Sequence, residues 1–203
     1  MKTTKTKATK IIRISGLMMV VSAWSAAAFA VTVSVSPSQG VVEFDAIGRP
    51  SMLKIHGVGT GPEGSFSIEK GKLVGELSFD LNSLDTGISL RNKHMKDKYL
   101  KTGEHPKAVL RLDPVESLGT WSAASEIRNA AFTGTLSLSG SSRPVSGTVS
   151  ITPVAGKSSI EASFGLRLTD FGIELPSFAG VTVADQVQIQ VKLSEVSSPG
   201  GVK

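Results

Sequence analysis

The 203-residue chain has 22 Lys+Arg, 17 Asp+Glu, no Cys and a formal net charge of +5. The missing cysteines exclude disulfide staples and thiol chemistry. All of the excess positive charge lies in residues 1–30, which leaves a neutral body of about 170 residues, enough to bury one apolar core. With no stacking aromatics beside a basic patch, that body gives no support to nucleic acid as a partner.

Lys2, Lys5, Lys7, Lys10 and Arg13 open the chain, Ile14 to Val21 form an apolar run, and Ala28-Phe29-Ala30 puts small residues where a signal peptidase reads. The pattern predicts a signal peptide over residues 1–30, cleaved near Ala30, and hence a periplasmic or secreted protein. An uncleaved anchor is the competing reading, because no charge occurs between Ile14 and Ser34. The Ser and Ala content after Val21 favours cleavage, and no transmembrane anchor is expected afterwards. No Cys follows for lipid attachment.

Beyond Val31 the chain reads as strands. Successive side chains of a strand point to opposite faces, so apolar residues at every second position mark a half-buried strand. Leu73, Leu77, Phe79 and Leu81 share one face, opposite Lys72, Glu76, Ser78 and Asp80. The same alternation places Ala108, Leu110 and Leu112 together, then Phe132, Leu136 and Leu138, then Val145, Val149 and Ile151. Ile160, Ala162, Phe164, Leu166 and Leu168 follow, and Val187, Ile189, Val191 and Leu193 close the series. With Val41–Ile47, Met52–Val58 and Phe66–Ile68, the expectation is an all-β, single-domain antiparallel barrel of eight to nine strands over residues 31–196. Residues 197–203, Ser-Ser-Pro-Gly-Gly-Val-Lys, read as a disordered tail.

Gly75, Gly134, Gly147 and Ala162 recur mid-strand on the inward face. They read either as space left for a cavity or as positions that let strands coil sharply. The pattern leaves both open.

One short helix is expected between Thr86 and Leu100, capped by Asp85 or Thr86 and closed by Gly103 and Pro106. Its place between two strongly alternating strands suits a lid at one barrel rim. Arg91, Lys93, Lys96, Lys98, Lys101 and Lys107 make this stretch basic. A solvated face with an Asp97–Lys101 pair is the favoured reading, and a mouth for an anionic head group is the sharper one.

Other chemistry is sparse. Gly59-Thr-Gly-Pro-Glu-Gly64 has phosphate-loop spacing, but a strand follows where a helix N-terminus would be needed, so it reads as a hairpin loop. His56, His94 and His105 show no metal-ligand spacing. No metal, cofactor or catalytic residue is expected.

Four ordered motifs resemble the YceI-like family. They are Ser83-Leu-Asp-Thr86-Gly87 with Arg91-Asn-Lys-His94-Met95; His105-Pro106 before a strand; Gly134-Thr-Leu-Ser-Leu-Ser-Gly140-Ser-Ser-Arg-Pro-Val145; and Asp170-Phe-Gly-Ile173 with Asp185-Gln-Val-Gln-Ile189. The resemblance implies a lipocalin-like, polyisoprenoid-binding barrel in the periplasm that holds a polyisoprenoid, an isoprenoid quinone or a fatty-acid derivative. Asn92 stands where members usually carry an acid, and Arg167-Leu-Thr169 replaces a common Arg-Ser, which would bear on the head group bound.

The expected lipid-binding lining is Leu73, Leu77, Phe79, Leu110, Leu112, Phe132, Leu136, Leu138, Phe164, Leu166, Phe171, Phe178, Val187 and Ile189, with Arg91 and His94 as head-group candidates. The expected function is non-enzymatic binding or transport of a long apolar lipid. Alternatives are a small-amide or ester hydrolase using His94 or His105, and an envelope stress or interaction protein with a filled core. The sequence leaves a homodimer open.

Overall fold

Apolar residues at every second position can all be buried only if each strand lays one face against a shared interior, and that is how this chain folds. The computed structural model describes residues 31–50, 53–69, 72–115, 126–178 and 180–197. The expected signal peptide, residues 198–203 of the expected tail, and the side chains of Leu73 and Phe178 lie outside the described residues.

The strands are β1 (Val31–Val35), β2 (Gly40–Arg49), β3 (Leu53–Thr60), β4 (Glu63–Glu69), β5 (Lys72–Asp80), β6 (Lys107–Val115), β7 (Ile127–Leu138), β8 (Ser141–Val154), β9 (Lys157–Arg167), β10 (Ser177–Phe178), β11 (Val181–Val183) and β12 (Gln186–Ser197). They form one antiparallel, curled sheet in the order β1-β4-β5-β6-β7-β8-β9-β12-β2-β11-β10, with β3 on β2. The count among the described residues is therefore twelve, not eight to nine. The additions are β1, where Val33 and Val35 alternate with Thr32 and Ser34 immediately after residue 30, and the two- and three-residue β10 and β11, too short for a period to register.

Among the described residues no ladder joins β3 to β4 or β5, so the sheet curls into a half-barrel without a fully hydrogen-bonded wall. The seam is held in two other ways. The chain passes directly from β3 to β4 through Gly61-Pro62. Val58 of β3 exchanges both backbone bonds with Asp85, at 2.9 and 2.7 Å. Gly59–Gly64 thus spans strand, turn and strand, with a strand following it and no helix, but β3 and β4 do not pair, so it is a connection across the seam and not the expected hairpin loop.

The one helical segment lies between β5 and β6. It has an α-helical turn, α1 (Ser89–His94), continued by a π-helical turn over Met95–Leu100. Neither Asp85 nor Thr86 caps it. Ile88 is the N-cap residue and makes no side-chain cap, because Asp85 bonds back to the Gly87 N–H at 2.7 Å instead. Asp97 and Lys101 form no ion pair among the described residues; Lys101 has already left the helix as its C-cap residue, in the left-handed region. The segment ends at Lys101 with φ of 51°. No helix among the described residues is long and apolar enough to cross a membrane.

Because neighbouring strands run antiparallel, the C-terminal halves of β2, β5, β7 and β9 lie beside the N-terminal halves of β3, β6 and β12. That end carries the helical segment. The opposite end is packed solid. Val33, Val35, Phe66, Val149, Ile151, Ile160, Leu193 and Val196 are buried there, and a bulge between Leu193 and Val196 turns the end of β12 inward.

Candidate ligand cavity

The helix-bearing end of the barrel encloses a cavity of about 520 Å³, within the ordinary range for small-molecule sites. Its walls are Val42, Phe44 and Ala46 of β2, Leu53 and Ile55 of β3, Leu77 and Phe79 of β5, Ala108 and Leu110 of β6, Leu136 and Leu138 of β7, Phe164 and Leu166 of β9, and Val187, Ile189 and Val191 of β12. Leu81, Leu84, Ile88, Leu90, Met95, Tyr99 and Leu100 cover it from the β5–β6 connection, and Ile173, Val181 and Val183 from the β9–β12 connection. Arg91 is the one permanently charged side chain in this wall among the described residues. Thr86, His94, Tyr99 and Ser177 are its other polar groups. A barrel whose core is wholly filled by side chains does not describe this end.

Of the residues expected to line a cavity, Leu77, Phe79, Leu110, Leu136, Leu138, Phe164, Leu166, Val187 and Ile189 do so, and both Arg91 and His94 border it. Phe132 does not. It is buried below the cavity and meets Phe164 edge to face, with ring centroids 6.1 Å apart. Leu112 is half-buried against the packed core. Phe171 is buried beside a separate, open depression edged by Arg49, Arg143, Arg167, Asp170 and Asp185. That depression mixes apolar residues, among them Val145, Leu175 and Val183, with charged ones, of which Arg167 and Asp185 form an ion pair. Leu73 and Phe178 cannot be placed, since their side chains are outside the described set.

The contributions of β2 and β3 were legible but not ranked. Val42, Phe44 and Ala46 alternate with Glu43 and Asp45 as clearly as any strand. Gly57 and Gly59 carry a further signal. A Cβ on Gly57 would strike the Phe44 ring, and one on Gly59 would sit 2.7 Å from the tip of Phe79. Two lining aromatics therefore lie flat over a glycine-bearing strand. By contrast Gly75, Gly134 and Gly147 border no cavity. Their Cβ positions are occupied by the Ser65 carbonyl and Phe66, by the Arg111 carbonyl, and by the Ser163 carbonyl with Phe164 and Phe132. They permit close approach of strands and rings and leave no empty space.

The mouth is tied together by one connected network. The Thr86 hydroxyl donates to Asn92 Oδ1 at 2.7 Å and accepts from Arg91 Nε at 2.7 Å. The Thr86 N–H also donates to Asn92 Oδ1, and Arg91 Nη2 donates to the Thr86 carbonyl. Asn92 Nδ2 donates to Asp85 Oδ1 at 2.6 Å. The Gly87 N–H and then the Asn92 amide hold the Asp85 carboxyl below its ordinary range. Asn92, the departure from the family's usual acid, is thus a two-ended clip that avoids placing two carboxylates together. Thr169, the other departure, bonds through its N–H and hydroxyl to Asp185, which also accepts from Arg167 Nε at 2.8 Å. The Thr169 N–H, with Arg167, holds the Asp185 carboxyl low as well. Neither Asn92 nor Thr169 borders the cavity.

The helical segment is fastened elsewhere too. Tyr99 Oη accepts from the Ser177 N–H at 3.3 Å, Lys96 Nζ donates to the Asn82 carbonyl at 2.7 Å, and the Ser139 hydroxyl donates to the Leu100 carbonyl at 3.1 Å. His105 packs over Gly140, and His56 faces Asp45 at 3.0 Å across β2 and β3 on the exposed side of the sheet. Among the described residues no three His, Asp or Glu side chains gather as metal ligands would.

An antiparallel half-barrel with an apolar cavity beneath a helical cover defines a class of lipocalin-like proteins. The chain belongs to one family of that class, the YceI-like domain, whose family model matches residues 27–194. No curated protein matches it. Among solved structures it is similar to BcnA of Burkholderia cenocepacia, with TM-score 0.62 and 16% identity over 78% of this chain and 98% of that one. It is similar to a polyisoprenoid-binding domain from Saccharophagus degradans, with TM-score 0.60 and 16% identity over 82% and 98%. The Campylobacter jejuni YceI protein aligns at TM-score 0.50 and 15% identity over 70% and 83%.

Proposed function

We propose that this protein binds one long apolar molecule in the barrel cavity, without chemical conversion, and carries it through the periplasm after losing residues 1–30. The carrying observation is the cavity wall, which is overwhelmingly aliphatic and aromatic and has Arg91 as its single permanent charge among the described residues. Such a wall offers burial and no strong directional bonds. Affinity grows with chain length, at about 0.8 kcal/mol per buried CH₂. Membership of the YceI-like family and the likeness in fold to a polyisoprenoid-binding domain support an isoprenoid or fatty-acid derivative as the ligand class. Arg91 and His94 at the mouth would meet its polar end.

Native mass spectrometry of protein purified from its own host, followed by organic extraction, tests the reading. A stoichiometric long-chain adduct is the expected result. An unliganded mass, with no uptake of added quinone or fatty amide, would overturn it and turn attention to protein partners or to catalysis at His94 or His105.

A further inference from the structure

Most exposed aliphatic side chains on a protein are scattered and need no explanation. Of the six large hydrophobic residues exposed among the described set, Ile47, Val154 and Leu175 lie away from the cavity, but Leu53, Ile88 and Leu90 all border it, with half or more of their surface in water (50, 53 and 53%). They come from two separate elements, β3 and the entry to α1, which both border this cavity. Both elements carry exposed cations next to these residues. Arg49 and Lys54 flank the β2–β3 connection beside Leu53, and Lys93, Lys98 and Lys101 stand on the helical segment after Leu90. From Ser89 to Lys101 the segment carries Arg91, Lys93, Lys96, Lys98 and Lys101 against Asp97 alone, with Glu104 exposed just beyond it and Asp85 engaged by Gly87 and Asn92. The helical segment is thus locally basic, while the body beyond residue 30 is neutral overall.

We propose that this rim docks on an anionic phospholipid bilayer, with Leu53, Ile88 and Leu90 entering the interfacial layer and Arg49, Lys54 and Lys93 meeting lipid phosphates. Apolar side chains ringed by lysine and arginine are the chemistry that binds such an interface. The geometry also gives the contact a purpose. A molecule leaving the bilayer would pass over apolar rim residues into an apolar cavity without crossing water. The proposal extends the carrier reading but stands on a different measurement.

The test is flotation of delipidated native protein with vesicles of phosphatidylglycerol and phosphatidylethanolamine, compared with vesicles of phosphatidylcholine alone. Binding to the anionic vesicles only is expected, with at least about a tenfold fall in 0.5 M NaCl, since screening shortens the reach of these charges. The double reversal Lys54→Glu/Lys93→Glu is expected to lower vesicle binding by at least about tenfold, each lysine near an anionic surface contributing roughly fivefold. Neither lysine borders the cavity, so uptake of a fluorescent fatty acid presented in dilute ethanol should be unchanged. Ile88→Ser/Leu90→Ser should also weaken flotation, with circular dichroism confirming the fold.

Absence of wild-type flotation, equal binding to neutral vesicles, or undiminished binding by the lysine double variant would each overturn the proposal. The first would point to a protein partner at the rim. Failure of fatty-acid uptake with flotation intact would count against the carrier reading alone.

Discussion

Phe132 and Phe164 meet edge to face, with centroids 6.1 Å apart and ring planes at 84°, across a position in β8 that has no side chain. Phe132 pairs with Gly147, and Gly147 pairs with Phe164. A Cβ on Gly147 would lie 2.7 Å from Phe164 Cβ and 2.9 Å from Phe132 Cε1. The glycine lets the two rings close over it, and the pair divides the barrel. Phe164 faces the cavity, and Phe132 belongs to the packed floor.

Gly147→Ala should therefore destabilise the fold by about 1–3 kcal/mol, the range for overpacking a tight site. Phe132→Ala should cost about 3–5 kcal/mol, because it hollows the floor. Urea titration of both variants checks this. A neutral Gly147→Ala would mean that the rings do not lie as described.

Leu136 of β7 lines the cavity, so filling and charging that position should differ in a measurable way. Leu136→Trp adds volume where space exists and should leave the melting temperature within a few degrees of wild type while abolishing ligand occupancy in native mass spectra. Leu136→Asp should also abolish occupancy, but at a cost in stability from burying a carboxylate against apolar walls. Full occupancy in both variants would place the ligand outside this cavity.

Asn92→Asp keeps the acceptor for Thr86 but sets a carboxylate against Asp85, whose oxygen now receives the Asn92 amide at 2.6 Å. Two close carboxylates cannot both ionise cheaply, so one pKa rises. The variant should be less stable than wild type near pH 7, and the difference should shrink as pH falls towards 4 and one of the pair takes a proton. Paired thermal melts from pH 7 to pH 4 measure it. A pH-independent difference would argue against this contact.

In the wild type, Asp85 and Asp185 are both held below the ordinary 3.8, Asp85 first by the Gly87 N–H and Asp185 first by the Thr169 N–H. A depressed folded pKa contributes stability that is fully present above the unfolded value and lost as pH falls through the folded one. Acid unfolding should therefore steepen below pH 4. Asp185→Asn removes one of these groups and should flatten that slope, as read by acid titration followed with circular dichroism.

Tyr99→Phe deletes only the acceptor for the Ser177 N–H, the bond joining the helical cover to β10. Stability should fall by no more than about 1 kcal/mol, while release of a bound fluorescent fatty acid should quicken. Unchanged release would show that this bond does not restrain the cover.

Eight to nine strands, and the inward faces of six of them, follow from the sequence, because alternation is a local property fixed by side chains that point to opposite sides of a strand. The same periodicity identified Leu77, Leu110, Leu136, Phe164 and Ile189 as interior. It could not say how deep along the barrel each one lies. Phe132 and Leu136 share a face of β7, yet only Leu136 borders the cavity, because depth depends on register with β6 and β8 and on what plugs each end. Tertiary structure alone decided that β1 and the tail of β12 close one end, and that the Asp85–Asn92–Thr86 network holds a helical cover over the other. It also showed that the mid-strand glycines admit neighbouring rings and strands, and so leave no empty space. These are contacts between residues distant in sequence, and no local period records them.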